Sequence, residues 1–262
     1  MQEIPFFKYH GAGNDFILLD QRTQTFIRPD DREQIAGLCH RRFGIGADGL
    51  IFLETGVEGA DFYMRYFNAD GGEGSMCGNG GRCTVTFAHD LGLIDQETRF
   101  LAVDGWHEAR VTRPNWVELQ MTNVGEIGIL NDGYFLNTGS PHQVNFVEGL
   151  DDYEVFAEGR RIRWLPDYAP GGTNVNFIEK AEQGLCIRTF ERGVEEETLA
   201  CGTGITAAAL AYSEMQQQGP GTYELPVKAL GGQLSVRYTK TIQGFEDIWL
   251  CGPTAFVFKG TV

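Results

Sequence analysis

Short apolar runs with a two-residue alternation or a β-rich composition recur along the whole chain, and they predict strands over residues 16–20, 50–53, 62–68, 116–121, 143–147, 174–179, 185–190, 234–238 and 255–258. Two segments break that rhythm. Residues 78–91 and 202–218 each open on a glycine-rich turn and continue with helical spacing; Gly92 and the pair Gly219-Pro220 are the expected stops. The second segment, ITAAALAYSEM, is apolar nearly all round over its first turns, which predicts a helix enclosed by strands. A shorter helix is expected over 31–41. Strands do not alternate regularly with helices, so the pattern predicts an α+β protein with one central helix per half and argues against a doubly wound sheet.

The halves echo each other. CGNGGRC begins at Cys77 and CGTGITA at Cys201, 124 residues apart in a chain of 262. Phe67-Asn68 precedes the first motif as Phe190-Glu191 precedes the second, and Gly11-Ala12-Gly13-Asn14 is echoed by Gly171-Gly172-Thr173-Asn174. Three echoes in one order predict two similar lobes.

Composition narrows the partners. The chain has 42% apolar residues, 35 glycines and 9 prolines, which excludes a disordered or collagen-like protein. Its net charge of −15 repels phosphate backbones and anionic headgroups, so neither nucleic acid nor a membrane is an expected partner. The start, MQEIPFFKYH, has no basic stretch leading into an apolar one, and a cytosolic location is expected.

Six cysteines in a chain of this length do not make a disulfide scaffold, and none of their spacings fits a zinc site. No metal is expected. Cys39, Cys83, Cys186 and Cys251 sit among apolar neighbours and read as small buried hydrophobes.

Cys77 and Cys201 read differently. Each stands immediately before a glycine-rich helix start, where free N–H groups and the positive end of the helix dipole stabilise both a thiolate and a bound carboxylate. Glycine lets the carboxylate approach the backbone. Two such turns facing one another would put a thiol on either side of the carbon next to that carboxylate. One thiolate then takes the α-proton and the other thiol returns a proton to the opposite face, while the helix ends stabilise ene-diolate charge without a cofactor. No P-loop, dinucleotide fingerprint or His-Glu-x-x-His is present.

The segments KYHGAGNDFILLD, RRFGIGADG, FNADGGEGSMCGNGGRC, GGTNVNF, ERGVEEETLACGTG and GPTAFVFKG together resemble the diaminopimelate epimerase family, across nearly the whole chain. The resemblance implies that Cys201 accepts and Cys77 donates the proton for the LL substrate. It also implies that the reacting carboxylate rests on the amides of Gly78, Asn79, Gly202 and Thr203. Asn14, Asn68, Asn174 and Arg192 would grip the distant end of the amino-acid substrate. Glu191 would accept from an ammonium or tune a thiol, and His142 would help set the protonation of the thiol pair.

The implied fold is two similar lobes, each a β-barrel-like sheet around a central helix: residues 1–121 with a returning strand at 253–262, and residues 122–252. A substrate cleft between the lobes, a homodimer, activity without cofactor, and an oxidisable Cys77–Cys201 pair are further implications. Three departures stand out: Ser140 replaces the usual Asn before Pro-His, Gly49 replaces a frequent Gln, and the stretch from Glu191 to Cys201 is one residue longer than usual. A proline racemase-like enzyme and a noncatalytic amino-acid binder are the competing readings. Three Asn and Glu191-Arg192 speak against the first; two thiols at helix starts would be needless in the second.

Overall fold

The computed structural model describes residues 3–262. Two compact units are present, one reaching from the first described residue to Leu119 and resuming over Gly252–Val262, the other spanning Gln120–Cys251.

The first unit is built from β1 (Pro5–Gly11), β2 (Asn14–Asp20), α1 (Arg32–Cys39), β3 (Gly49–Thr55), β4 (Phe62–Asn68), α2 (Gly78–Asp90), β5 (Glu97–Ala102), β6 (Gly105–Arg113) and β7 (Trp116–Gln120). In the second unit follow β8 (Gly128–Leu130), β9 (Gly133–Asn137), β10 (Pro141–Phe146), α3 (Val155–Arg163), β11 (Asn174–Lys180), β12 (Leu185–Glu191), β13 (Glu196–Thr198), α4 (Gly202–Met215), β14 (Gly221–Ala229), β15 (Gly232–Lys240) and β16 (Phe245–Pro253). The last strand, β17 (Ala255–Thr261), pairs antiparallel with β1.

The pairing sequences match. In the first unit β1–β2 is antiparallel, β2–β3 parallel, β3–β4 antiparallel, β4–β5 parallel, β5–β6 antiparallel and β6–β7 antiparallel. In the second, β9–β10, β10–β11, β11–β12, β12–β14, β14–β15 and β15–β16 repeat those senses in the same order. Each long helix lies in the connection between strands of a parallel pair, α2 between β4 and β5, α4 between β12 and β14. The structure is therefore α+β and sheet-rich, with mixed sheets and few helices.

Register corrects one of the three echoes. Phe16 pairs with Gly49 across β2–β3 and His142 with Asn174 across β10–β11, so Asn174 occupies the place of Gly49 and Ser140 that of Asn14. Asn14 and Asn174 are not counterparts. Gly49↔Asn68 across β3–β4 likewise makes Asn68 the counterpart of Glu191, the residue one step past the Val175↔Phe190 pair.

α2 and α4 are enclosed on nearly every side, α4 burying Gly202 and Gly204–Ala211 almost without interruption. Both end the same way. Leu93 and Gly92 donate to the carbonyls of Ala88 and His89, with Gly92 left-handed at φ 67°; Gln218 and Gln217 donate to Ser213 and Glu214, with Gln217 left-handed at φ 51°. The stop of α4 is thus ahead of Gly219-Pro220, because a glutamine takes the conformation that glycine takes in α2. Strands β1, β5, β6, β8, β9, β13, β14 and β16 and helix α3 lay outside the apolar runs that announced the others; β14, for instance, alternates between half-buried and exposed over its first four residues, contains a proline and buries only Val227 and Ala229. Among the described residues no helix is long and apolar enough to cross a membrane.

Candidate active site

A tight hairpin starts the cluster in the first unit. Ala12 and Gly13, both at positive φ (52° and 85°), form the two-residue loop joining β1 to β2 across the Gly11↔Asn14 pair. This turn delivers Asn14 to the start of α2. Its Oδ1 lies 3.7 Å from Cys77 Sγ and accepts from Asn79 Nδ2 at 3.3 Å, while its Nδ2 donates to Asp48 Oδ2 at 2.6 Å. Asp48 is in turn held by Arg41, which also pairs with Asp15. Beneath the turn, the fully buried Arg82 donates to Asn79 Oδ1 at 2.7 Å and to Gly78 O at 3.3 Å, fixing the first residues of the helix.

Cys77 is the N-cap residue of α2 and Cys201 that of α4, both in extended backbone, and neither sulfur caps its own helix. The amides of Gly78 and Asn79, and of Gly202 and Thr203, thus begin their helices without being capped by the cysteine.

The cluster in the second unit is built on hydroxyls and an imidazole. His142 Nε2 lies 2.8 Å from Thr203 Oγ1 and 3.0 Å from Ser140 Oγ, and Thr203 Oγ1 lies 3.5 Å from Cys201 Sγ. Asn174 donates from Nδ2 to Ser140 Oγ and Pro141 O and accepts from the Arg192 amide at 2.8 Å. His142 is fully buried, and burial, with the nearby Arg192 cation, pushes its pKa down to about 3. The ring is neutral at physiological pH.

Of the residues singled out in the sequence, Asn14, Cys77, Gly78 and Asn79 come together in the first unit, and His142, Asn174, Arg192, Cys201, Gly202 and Thr203 in the second. Asn68 turns to its own loop, donating from Nδ2 to Gly72 O at 3.4 Å. Glu191 accepts from Thr198 Oγ1 at 2.8 Å, and burial raises its carboxyl above the ordinary range.

Two of the departures acquire physical reasons. A Cβ on Gly49 would stand 2.5 Å from Tyr66 Cε2, so the Tyr66 ring fills the space that a larger side chain would need. Ser140, at the register place of Asn14, puts a polar atom within reach of the helix start, 3.4 Å from Thr203 Oγ1.

Sequence reasoning passed over Asp48, Arg82 and Asn176. The motifs contained all three, but their importance lies in hydrogen bonds made across strands. The remaining cysteines are free thiols. Burial pushes Cys39 up to about 11 and raises Cys83 further, as expected of inert side chains; Cys186 is half-buried against the core of the second unit, and Cys251 is buried.

The diaminopimelate epimerase family model matches residues 6–125 and 134–246. The chain is 45% identical over 260 residues to the diaminopimelate epimerase of Flavobacterium psychrophilum, covering 99% of this chain and 100% of that one. It is 45% identical over 263 residues to that of Chlorobaculum tepidum, covering 96% and 98%. Solved structures share the fold at low identity. A PhzF-family phenazine biosynthesis protein of Bacillus anthracis superposes with TM-score 0.78 at 19% identity over 100% and 99% of the two chains. A hydroxyproline epimerase of Agrobacterium vitis superposes with TM-score 0.66 at 15% identity over 99% and 92%. On these matches the chain is an epimerase belonging to the diaminopimelate epimerase family.

Proposed function

We propose that this protein converts LL-2,6-diaminopimelate to the meso form without a cofactor, using Cys201 as thiolate base and Cys77 as thiol acid, and so serves lysine and peptidoglycan synthesis in the cytoplasm. The observation that carries the reading is the repetition of one device: in two units of matching strand order, a cysteine stands at the N-cap position of a buried, glycine-opened helix.

The Cys201 sulfur takes the α-proton and becomes a thiol as charge moves onto the substrate carboxylate. The Cys77 S–H then protonates the other face and becomes a thiolate, and the reverse reaction exchanges the roles. Amides of Gly78, Asn79, Gly202 and Thr203 stabilise the ene-diolate oxygens. Asn14, Asn68, Asn174 and Arg192 hold the second amino-carboxylate end, and a planar guanidinium suits that carboxylate. The Asn174–Arg192 contact supports their working as one clamp.

The test is α-hydrogen exchange in D2O, without added cofactor, on LL-diaminopimelate and on L-proline. Deuterium entering only diaminopimelate, with meso product formed, is the expected result. Exchange into proline alone would move the protein to the proline-type racemases. Binding of diaminopimelate without exchange would make it a binder.

A further inference from the structure

Asn176 lies on β11 with no exposed surface, and its amide orientation is fixed from both ends. Nδ2 donates to Gln143 O at 2.9 Å, and Oδ1 accepts from Thr189 Oγ1 at 3.0 Å. The same Nδ2 stands 3.1 Å from His142 Nδ1. An amide nitrogen only donates, so Nδ1 must accept, and a neutral imidazole that accepts at Nδ1 carries its proton on Nε2. That N–H points at Thr203 Oγ1, 2.8 Å away.

Ser140 Oγ already accepts from Asn174 Nδ2, which leaves the Ser140 proton for Thr203 Oγ1 as well. Two donors thus converge on the threonine oxygen, and the proton of that hydroxyl is left for Cys201 Sγ at 3.5 Å. Room for the arrangement comes from Gly204: a Cβ there would overlap Asn176 Oδ1.

We propose that Asn176 is a positioning residue: it locks His142 in the Nε2–H tautomer, and the locked ring turns the Thr203 hydroxyl into a hydrogen-bond donor to the Cys201 sulfur, favouring thiolate there. His142 then acts as a fixed donor that neither gains nor loses a proton during turnover. The inference rests on the reading of Cys201 as the proton acceptor. Arg192 is the charged group whose field bears on the ring, and it too opposes the imidazolium.

The direct test is long-range 1H–15N correlation of the imidazole rings, which needs no turnover. The native protein is expected to show His142 as the neutral Nε2–H form from pH 8 to pH 5. Asn176→Asp, whose carboxylate accepts, is expected to switch it to Nδ1–H, and Asn176→Leu to give a mixture of tautomers. A native ring in the Nδ1–H or charged form would overturn the proposal.

The second measurement is iodoacetamide capture at Cys201, followed against pH by peptide mass spectrometry. Thr203→Val is expected to lower capture at pH 7 about tenfold, the cost of losing one hydrogen bond to a charged acceptor, and Thr203→Ser to restore it. An unchanged pH profile in Thr203→Val would equally overturn it. Should the Asn176 variants not fold, the native spectrum and the Val/Ser pair still decide. Failure of the α-exchange assay with the tautomer as expected would refute the diaminopimelate reading and leave the positioning role of Asn176 standing.

Discussion

Set side by side, the two units use one strand order to build two unlike thiol environments. Where the first has Phe16 and Ile51, the second has His142 and Asn176 at the same register positions. Where the first has Asn79 and the buried Arg82 on its helix, the second has Thr203 and Thr206. Cys77 is offered the oxygen of Asn14, an acceptor held in place because the amide nitrogen of Asn14 is taken by Asp48. Cys201 is offered a hydroxyl into which two donors already point. An acceptor beside a sulfur favours S–H and a donor favours S⁻. The duplicated framework supplies positions, and the few residues that differ between copies supply direction.

The largest expected effect removes the shared device. Cys77→Ala and Cys201→Ala are each expected to lower turnover by about 10²–10⁴-fold, the usual contribution of a general acid or base. Near-normal rates in either variant, measured as loss of the circular dichroism of the LL substrate, would end the two-thiol reading.

The comparison sharpens at the paired helix glycines. A Cβ on Gly204 collides with the fixed Asn176 amide, whereas one on Gly80 would meet the movable Ile51 Cδ1 at 3.1 Å, with Met64 Cε and Phe16 Cε1 at ordinary contact distances of 3.4 and 3.5 Å. Gly204→Ala is expected to cost about 1–3 kcal/mol through overpacking. Gly80→Ala is expected to be near neutral, since strain is offset by about 1 kcal/mol of helix propensity. Urea melts of the two variants check the asymmetry, and equal losses would refute it.

Acid separates the halves next. His142 is neutral when folded and takes a proton when unfolded, so its contribution to stability is intact above the ordinary histidine pKa of 6.5. It is lost as pH falls toward its folded value of about 3, at up to about 1.4 kcal/mol per pH unit. Asp15, held low by Arg41 and Lys8 despite burial, contributes stability above the ordinary aspartate range that is lost only at more acidic pH. Glu191 runs the other way, its raised carboxyl favouring the fold as the solution becomes acidic. Denaturation between pH 7 and 5 should therefore show a slope that His142→Phe flattens; an unaltered slope would remove His142 as its source.

The smallest effect lies at the helix ends. Gln217→Gly relieves a left-handed glutamine and is expected to stabilise α4 by about 1 kcal/mol, while Gly92→Ala is expected to weaken α2 by a similar amount. Thermal melts measure both.

Much of this was legible in the sequence because it depends on local rules. The glycine-opened helices at 78 and 202, the strand at 62–68 and the two active-type cysteines all declare themselves in consecutive residues. The rest depends on register. β1 and β14 carry mixed patterns that make sense only beside their partners. Asn174 resembled Asn14 by its neighbours in the chain, yet pairing sets it opposite His142, and only the ladder reveals it as the counterpart of Gly49. Asn176 was marked only as a member of GGTNVNF, with no role attached: an asparagine in a strand declares its role through the ring it faces.

The pairing of β17 with β1, and the 2.8 Å contact between Thr254 and Thr86 on the Cys77 helix, make the first unit discontinuous in the chain. The second unit is contiguous in the chain, whereas closing the first joins its two ends. Until β17 docks, β1 is left with an open edge. A variant that weakens β17 would therefore open an edge on β1 in the first unit.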